Sequence, residues 1–274
     1  MRNWELILVY VFLIFLAVFT VLPFFWSVFS SFKPMEKIFE STLSSLLNVR
    51  DFTATNYSAL FKETFYPRWF RNSLFVAISY SLLVLFLCSL GGYAFAKFNF
   101  PGKDALFSIV IASMTIPIWG IIIPLFAWFS RLGLIDTYWA LVLPGSANGF
   151  GIFLMRQYIQ SVPSEILDSA RIDGCSEFQV FWKIVFPVIK PASAALLIWA
   201  FLNSWNNLLG PLVFIRSPKM FTIPAGLASF VGQKDPQFGL LIAGGIVSLL
   251  PVLTVFILLQ REFIAGLTLG AVKE

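Results

Sequence analysis

Six long apolar runs restrict the fold of this 274-residue chain more than any other feature of its sequence. They are Leu6–Ser30, Leu74–Ala96, Leu106–Phe129, Trp139–Met155, Pro187–Val213 and Phe238–Leu259. Their only charged residue is Lys190, near the start of the fifth run. About 20 apolar residues cross the hydrocarbon core as a helix, because lipid cannot satisfy unpaired backbone groups. Since the runs lack the alternation of barrel strands, they predict an all-α polytopic membrane protein with six transmembrane helices.

The composition also favours a chain that lies mostly in lipid. Hydrophobic residues make up 58% of it and charged residues 12%, a ratio at which a soluble domain could not cover itself with polar groups. The first run is too long for a signal-peptide core and lacks a small-residue cleavage site, so we expect it to be a retained helix. The pairs Gly91-Gly92 and Gly244-Gly245 indicate close contacts between helices.

The residue types exclude several kinds of chemistry. The sequence has no histidine, and Cys88 in an apolar run should lie far in depth from Cys175 in a polar loop. This predicts no disulfide, no metal site and no catalytic residue. Because no GxxxxGK[ST] loop is present, any nucleotide must be bound by another protein. The net charge of +5 suits anionic lipid headgroups and gives no reason to expect nucleic-acid binding.

The most informative polar segment is Arg156–Phe186, which is charged and amphipathic. Pro163 suits the first position of a helix, and Asp168 and Arg171 are three residues apart, so they can pair. Gly174 suits the left-handed position that ends a helix. One face of the first helix carries the apolar residues Ile166, Leu167 and Ala170. The segment therefore predicts two short helices with a break at Gly174.

The second of these helices begins with a capping box, formed by Ser176 and Gln179. Its apolar stripe at helical spacing consists of Phe178, Phe181, Trp182 and Val185. Such a stripe outside the membrane must be covered. The chain's own helix ends or the headgroup layer could cover it. A groove on a partner protein could equally receive it, as grooves receive other amphipathic helices.

This segment resembles the cytoplasmic coupling loop of ABC importer permeases. The loop's pattern is Glu-Ala-Ala, three residues, Gly, nine residues, then Ile-x-Leu-Pro. The residues that match at the right spacings are Ala170, Gly174, Ile184 and Pro187. Asp168 replaces the Glu, Ser169 the first Ala and Phe186 the Leu. These changes conserve charge or size well enough for docking, although position 168 does not carry the Glu of the pattern.

Other segments resemble the same family over most of the chain from about residue 50 onward. Those similar to sugar-importer permeases are Asn56-Tyr57, Asn72-Ser73-Leu74, Tyr93–Gly102, Trp205-Asn206 and Pro211-Leu212. The end, Gly266–Glu274, looks like the tail of the second permease of maltose-type importers, which reaches into the ATPase dimer. On these motifs the chain is identified as a member of the carbohydrate ABC importer permeases, similar to the second permease of maltose-type importers.

The resemblance implies a type I ABC importer transmembrane domain that forms half of a heterodimeric pore in the cell (inner) membrane, with both termini cytoplasmic. Its implied partners are a second permease, two cytoplasmic ATPases that bind ATP and Mg, and an extracytoplasmic solute-binding protein. Residues 1–71 would form the first helix and a long extracytoplasmic loop. Residues 72–260 would form a five-helix core with its coupling loop at 157–186, and 261–274 a cytoplasmic tail.

The resemblance also implies which residues meet the ATPases. In the coupling loop they are Asp168, Ser169, Ala170, Asp173, Gly174, Phe178, Phe181, Trp182, Ile184 and Pro187. In the tail they are Gly270 and Lys273. Charge alone does not decide the orientation: cytoplasmic termini leave nine basic residues inside and ten outside, six of these in the first long loop.

Amides and indoles in the apolar runs are candidates for a substrate pathway: Trp119, Asn148, Asn203, Trp205 and Asn206. Indole rings stack on sugars and amides hydrogen-bond to hydroxyls. Hydrogen bonding between helices and interfacial tryptophan is the alternative interpretation. A rival function is an ion-coupled secondary transporter of a neutral solute, but such proteins place ionisable residues at the midplane. An enzyme would need a nucleophile with a base, or metal ligands, and a scaffold would predict no transport defect on deletion.

Overall fold

The computed structural model describes residues 3–39, 48–232 and 234–271, which form helices and turns without any strand. The helices of the first half are α1 (Asn3–Ser31), α2 (Thr55–Lys62), α3 (Tyr66–Lys97), α4 (Lys103–Ser113), α5 (Ile118–Arg131), α6 (Trp139–Val142) and α7 (Gly149–Gln160). Those of the second half are α8 (Ser164–Ile172), α9 (Glu177–Val180), α10 (Phe186–Val188), α11 (Lys190–Trp205), α12 (Leu209–Phe214), α13 (Ile223–Val231) and α14 (Phe238–Ala271). A π-helical turn, Phe181–Val185, joins α9 to α10.

Three helices of the described residues, α1, α3 and α14, are long and apolar enough to cross a membrane. A fourth crossing is formed if 177–188 and α11 count as one span, although they meet at a bend of 84°. The predicted all-helical fold is therefore confirmed, whereas six unbroken crossings are not found. The third, fourth and fifth apolar runs are each interrupted.

Prolines explain two of the interruptions. Pro117 is the N-cap of α5, with ψ 131°, and separates it from α4. Proline lacks a backbone N–H and disfavours helical geometry in the preceding residue, which favours a helix break at this position. In the fourth run, Pro144 and Gly145 (φ 73°) lie between α6 and α7.

The largest core is formed where α3 packs against α7 and α11. A Cβ on Gly92 would lie 2.6 Å from the Cβ of Met155, so glycine allows these helices their close approach. Gly244 similarly meets Leu227 and Tyr66. These two predicted contacts are confirmed, while a Cβ on Gly245 would meet nothing within 4 Å.

Helix α1 lies apart from this core. It contacts α14, and most of its large apolar side chains are exposed. Cys88 is buried within α3 and Cys175 lies half-buried in the turn after α8. Both thiols are free.

Candidate functional site

Helices α8 and α9 form a hairpin around a glycine turn, and we call 164–188 the coupling hairpin. Gly174 has φ 84° and lies just after the end of α8. The Cys175 N–H donates to the Ala170 carbonyl at 3.0 Å, and the Gly174 N–H donates to the Arg171 carbonyl at 3.0 Å. This pair of bonds is the Schellman motif, which a left-handed glycine completes. The predicted break at Gly174 is confirmed.

The second helix of the hairpin starts as its sequence predicts. The Gln179 N–H donates to Ser176 Oγ, and the Ser176 N–H donates to Gln179 Oε1 at 2.9 Å. This reciprocal capping box satisfies two of the N–H groups that a helix start leaves unpaired. The chain then passes through the π-helical turn, a feature that the local sequence did not indicate.

Part of the aromatic stripe is covered by the chain itself, and the other part stays exposed. Phe181 and Val185 are buried in the chain's own core. Phe178 remains 58% exposed and Trp182 37% exposed, and their rings meet edge to face at 6.0 Å. The stripe therefore anchors the hairpin with one half and presents the other half outward.

Further apolar side chains extend this outward surface. Leu167 and Ala170 are buried, but Ile166, predicted to share their face, is 51% exposed. Ile172 is 85% exposed, which the sequence pattern did not predict. The exposed large apolar side chains of 164–185 are thus Ile166, Ile172, Phe178 and Trp182, and we call these four the apolar surface of the coupling hairpin.

Arg171 clamps the two arms of the hairpin together. Its Nη1 lies 2.6 Å from Asp168 Oδ1, which confirms the predicted pair. Its Nε also lies 2.7 Å from Glu177 Oε1, across the turn. The hydrogen bond from Arg171 lowers the pKa of Glu177, and the same contact, together with Asp168, raises the pKa of Arg171. The sequence missed Glu177 because it lies six residues from Arg171 and on the other helix.

Glu177 also attaches the hairpin to α3. The Tyr93 hydroxyl donates to Glu177 Oε2 at 2.8 Å. The ring of Tyr93 lies 5.4 Å from that of Phe181. Lys97, at the end of α3, donates to the Val162 carbonyl just before the hairpin. Tyr93 was noted in the sequence only as part of a motif, and its contact with Glu177 depends on tertiary packing.

Most of the coupling-loop residues that were predicted to meet the ATPases lie on the surface. Of the ten, the exposed ones are Asp168, Ser169, Asp173, Gly174, Phe178, Trp182 and Pro187. Ile184 is half-buried, whereas Ala170 and Phe181 are buried. Gly270 falls in α14, where no side chain beyond Glu262 is described, and Lys273 lies outside the described residues.

Two of the candidate pathway residues form hydrogen bonds within the chain. Asn148 caps α7, since its Oδ1 accepts the Gly151 N–H at 2.8 Å. Trp205 is buried and donates to the Ser248 carbonyl at 3.2 Å. For these two, the structure favours the alternative interpretation of bonding between and within helices. The side chain of Trp119 is not among those described.

Asn203 and Asn206 differ, because both are exposed. With Trp199 they are spaced four and three residues apart, which puts all three on one face at the end of α11. The Trp199 ring lies 4.8 Å from that of Phe150. This face combines an indole with two amides that are open to solvent in this chain.

Comparison with known proteins now identifies the family. Residues 88–263, which include the coupling hairpin, match the family described as binding-protein-dependent transport system inner membrane component. The chain belongs to this family. Among its relatives, the arabinooligosaccharides transport system permease protein AraQ of Halalkalibacterium halodurans is 38% identical over 272 residues, covering 99% of this chain and 96% of AraQ.

Solved structures of ABC transporters have a similar fold. A chain of a bacterial ABC transporter involved in import of the acidic polysaccharide alginate has a TM-score of 0.84 at 22% identity, covering 96% of this chain and 98% of that chain. A chain of the alginate transporter in complex with alginate pentasaccharide-bound periplasmic protein has a TM-score of 0.62 at 18% identity, with 95% and 96% covered. The family member described here therefore has the type I ABC permease fold.

Proposed function

We propose that this chain is the permease subunit of an ATP-driven ABC importer and forms half of the pathway that carries a sugar or oligosaccharide across the cell membrane. The observation that carries the proposal is the coupling hairpin, which lies inside the segment shared with the family and turns an apolar surface outward. The relatives' carbohydrates support the substrate class. ATP should drive uptake in vesicles, and uptake should survive the collapse of ion gradients.

The proposed assembly pairs this chain with a second permease, two cytoplasmic ATPases that bind ATP and Mg, and an extracytoplasmic solute-binding protein. The chain crosses the inner membrane six times, with both termini in the cytoplasm. Interrupted pairs such as α4 with α5 would then supply crossings. Together α4, α5 and their connection include 103–131, enough residues to span about 30 Å at 1.5 Å per residue.

The proposed ATPase contact is the outward half of the coupling hairpin. Its apolar surface is bordered by the exposed Asp168 and Asp173, so a complementary groove could bind it by apolar burial and fix its register by charge. The residues that follow turn by 84° into α11, and Glu177 joins the hairpin to α3. A movement of the docked hairpin would therefore reach two membrane helices.

Gly174→Asp tests this contact. A Cβ at this position meets nothing within 4 Å, so the new side chain does not clash inside the chain but projects from the turn. We expect normal insertion, loss of ATPase co-purification and at least a tenfold fall in uptake. Gly133→Asp is the matched control, because Gly133 also has a left-handed backbone (φ 68°) and open surroundings, but lies outside the hairpin. Unimpaired uptake with normal co-purification of the ATPase would contradict the proposal.

For the substrate we propose contacts from Asn203 and Asn206, the exposed amides of the face that includes Trp199. Asn206→Leu should alter the concentration dependence of sugar uptake while ATPase co-purification stays normal. Asn206→Gln keeps an amide and should retain more of the wild-type behaviour. Identical transport kinetics for Asn206→Leu and wild type would remove Asn206 from the pathway.

A further inference from the structure

An apolar groove lies between the membrane helices α3, α11 and α14. Its volume is about 490 Å³. Most of the side chains that line it are apolar, and they include Leu74 of α3, Phe201 of α11 and Val255 of α14. The exceptions are the hydroxyl side chains Ser81 and Thr254. The kind of ligand that the groove suits therefore depends on whether these two hydroxyls are free.

Both hydroxyls are already bonded within their own helices. Ser81 Oγ donates to the Ala77 carbonyl at 2.6 Å, and Thr254 Oγ1 donates to the Leu250 carbonyl at 2.8 Å. A sugar in this groove would lose hydrogen bonds to water and would find no free donor among the lining side chains, which is unfavourable. The groove therefore suits a hydrocarbon chain and not a carbohydrate.

The groove also lies away from the proposed substrate contacts. Successive residues of an α-helix are about 100° apart around its axis, so Leu197 and Phe201 share the face of α11 that lines the groove. By the same spacing, Trp199 and Asn203 lie on the opposite face. The groove and the candidate substrate face are therefore two separate surfaces of one helix.

Helices α11 and α14 run antiparallel along the groove. The indole of Trp205, at the end of α11, donates to the Ser248 carbonyl of α14 at 3.2 Å. Leu197, which precedes Trp205, lines the groove together with residues that follow Ser248, as far as Leu259. The start of α11 and the later part of α14 therefore meet at one end of the groove.

Two exposed cations border that end of the groove. Lys190 is seven residues before Leu197, which puts it on the groove face of α11 at about 10 Å along the helix. Arg261 is seven residues after Thr254 on α14. Within the described residues neither cation has an ion pair. Glu262 follows Arg261 and is exposed, so the three groups together keep one positive charge.

We propose that the groove holds one acyl chain of an anionic phospholipid from the cytoplasmic leaflet, whose phosphate lies between Lys190 and Arg261. At about 30 Å³ for each small group, the volume of a water molecule in the liquid, 490 Å³ has room for about 16 groups, the size of a single acyl chain. Basic side chains at the membrane surface attract anionic headgroups, and their long stems reach that surface from the apolar layer. The inference goes beyond the transport function, and only its choice of leaflet rests on the proposed orientation.

A lipid bound in this way would hold α11 where it leaves the coupling hairpin. The segment 177–188 meets α11 at a bend of 84°, and Lys190 is the first residue of α11. The headgroup would therefore bind at the junction between the hairpin and the membrane helix. We expect the anionic lipid to raise the unfolding temperature of the transporter, because a ligand that binds only the folded state stabilises it.

The test measures the lipid that the complete purified transporter retains in native mass spectrometry. The probes are phosphatidylglycerol and phosphatidylcholine with identical acyl chains. Wild type should bind phosphatidylglycerol at least tenfold more tightly than phosphatidylcholine, and the double variant Lys190→Gln with Arg261→Gln should lose this preference. The control is Arg68→Gln with Arg71→Gln, which removes two exposed charges at the start of α3 and should keep the preference.

A second pair of variants tests the place of the acyl chain. Thr254→Trp fills the groove without a change of charge and should lower the retention of both lipids. Leu253→Trp is its control, because Leu253 is the adjacent residue of α14 and is exposed, but does not line the groove.

Equal affinity of wild type and the Lys190 and Arg261 double variant for phosphatidylglycerol would overturn the inference, as would an equal loss in the Arg68 and Arg71 control. Normal lipid retention in Thr254→Trp, combined with failure to assemble with the second permease, would assign the groove to a helix of that subunit and also overturn it. Failure of the proposed function would be seen separately, as a wild-type transporter that retains the lipid but shows no ATP-driven uptake.

Discussion

Tyr93 and Glu177 form a link between a membrane helix and the coupling hairpin through a single hydroxyl. Glu177 already accepts from Arg171, so its carboxylate joins three parts of the chain: both arms of the hairpin and α3. Each contact is a hydrogen bond to a charged group, a kind stronger than a neutral pair. If the hairpin transmits movement, this carboxylate is one route for it.

Tyr93→Phe removes only that hydroxyl and leaves the ring packed on Phe181. We expect the variant to insert and to bind the ATPase, but to hydrolyse several-fold more ATP per sugar imported, because movement of the hairpin is then coupled less tightly to α3. Tyr80→Phe is the control, since it removes a tyrosine bond in the same helix, to the Gly145 carbonyl. An unchanged ratio of ATP to sugar in Tyr93→Phe would show that the link transmits nothing.

The Glu177 carboxylate also predicts a pH dependence. Its pKa is lowered in the folded hairpin, so its contribution to stability is present above the ordinary glutamate value of about 4.3 and is lost as the pH falls through the lowered pKa. Exchange of the hairpin amides should be faster in Glu177→Gln than in wild type at pH 7, and nearly equal once Glu177 is protonated. Because the pair is partly exposed, the difference should stay at or below about 1 kcal/mol. A difference that grew in acid would have the wrong sign.

At the scale of helices, the sequence predicted best what local chemistry decides. The left-handed turn at Gly174 and the capping box of Ser176 and Gln179 need only neighbouring residues, and both were found. The breaks at Pro117 and Pro144 are harder to predict, because a proline inside a membrane bundle can bend a helix or end it. Which happens depends on packing that the sequence does not display.

The other features of the candidate site that the sequence did not predict depend on tertiary contacts. Phe181 and Trp182 are adjacent in the aromatic stripe, and nothing in the stripe indicated that the first is buried and the second exposed. Their fates differ because Tyr93 of α3 lies against Phe181. The loop 215–222 was likewise not singled out, since Asp136 and Asn72 reach it from 80 and 147 residues away along the chain.

The contact of α3 with α7 yields a prediction about helix packing. Gly92→Ala places a methyl group 2.6 Å from the Cβ of Met155, so the helices must separate. Overpacking of this kind costs about 1–3 kcal/mol, measured as a lower unfolding temperature of the purified protein. Gly245→Ala is the control, because its new methyl meets nothing within 4 Å. Equal stability of the two variants would mean that the close approach is not needed.

For the whole molecule, the orientation in the membrane can be tested with the chain's own thiols. Cys175 is half-buried in the coupling hairpin and Cys88 is buried, so a membrane-impermeant reagent should report the hairpin alone. We expect labelling of Cys175 from the cytoplasmic side. Arg131→Cys in a Cys175→Ser background should react from the other side. A Cys175 thiol that reacts only with reagent added outside the cell would refute both the orientation and the ATPase contact.

Helix α3 runs without interruption through 32 residues, a length of about 48 Å at 1.5 Å per residue. Near its start it holds the loop 215–222 through Trp69 and Asn72, and near its end it holds the coupling hairpin through Tyr93. This one straight helix is therefore attached to a different segment of the chain near each of its ends. A tilt about its middle would displace these two attachment points in opposite directions. In the proposed orientation, α3 would therefore connect the extracytoplasmic side of the chain mechanically to the cytoplasmic hairpin, apart from the substrate pathway.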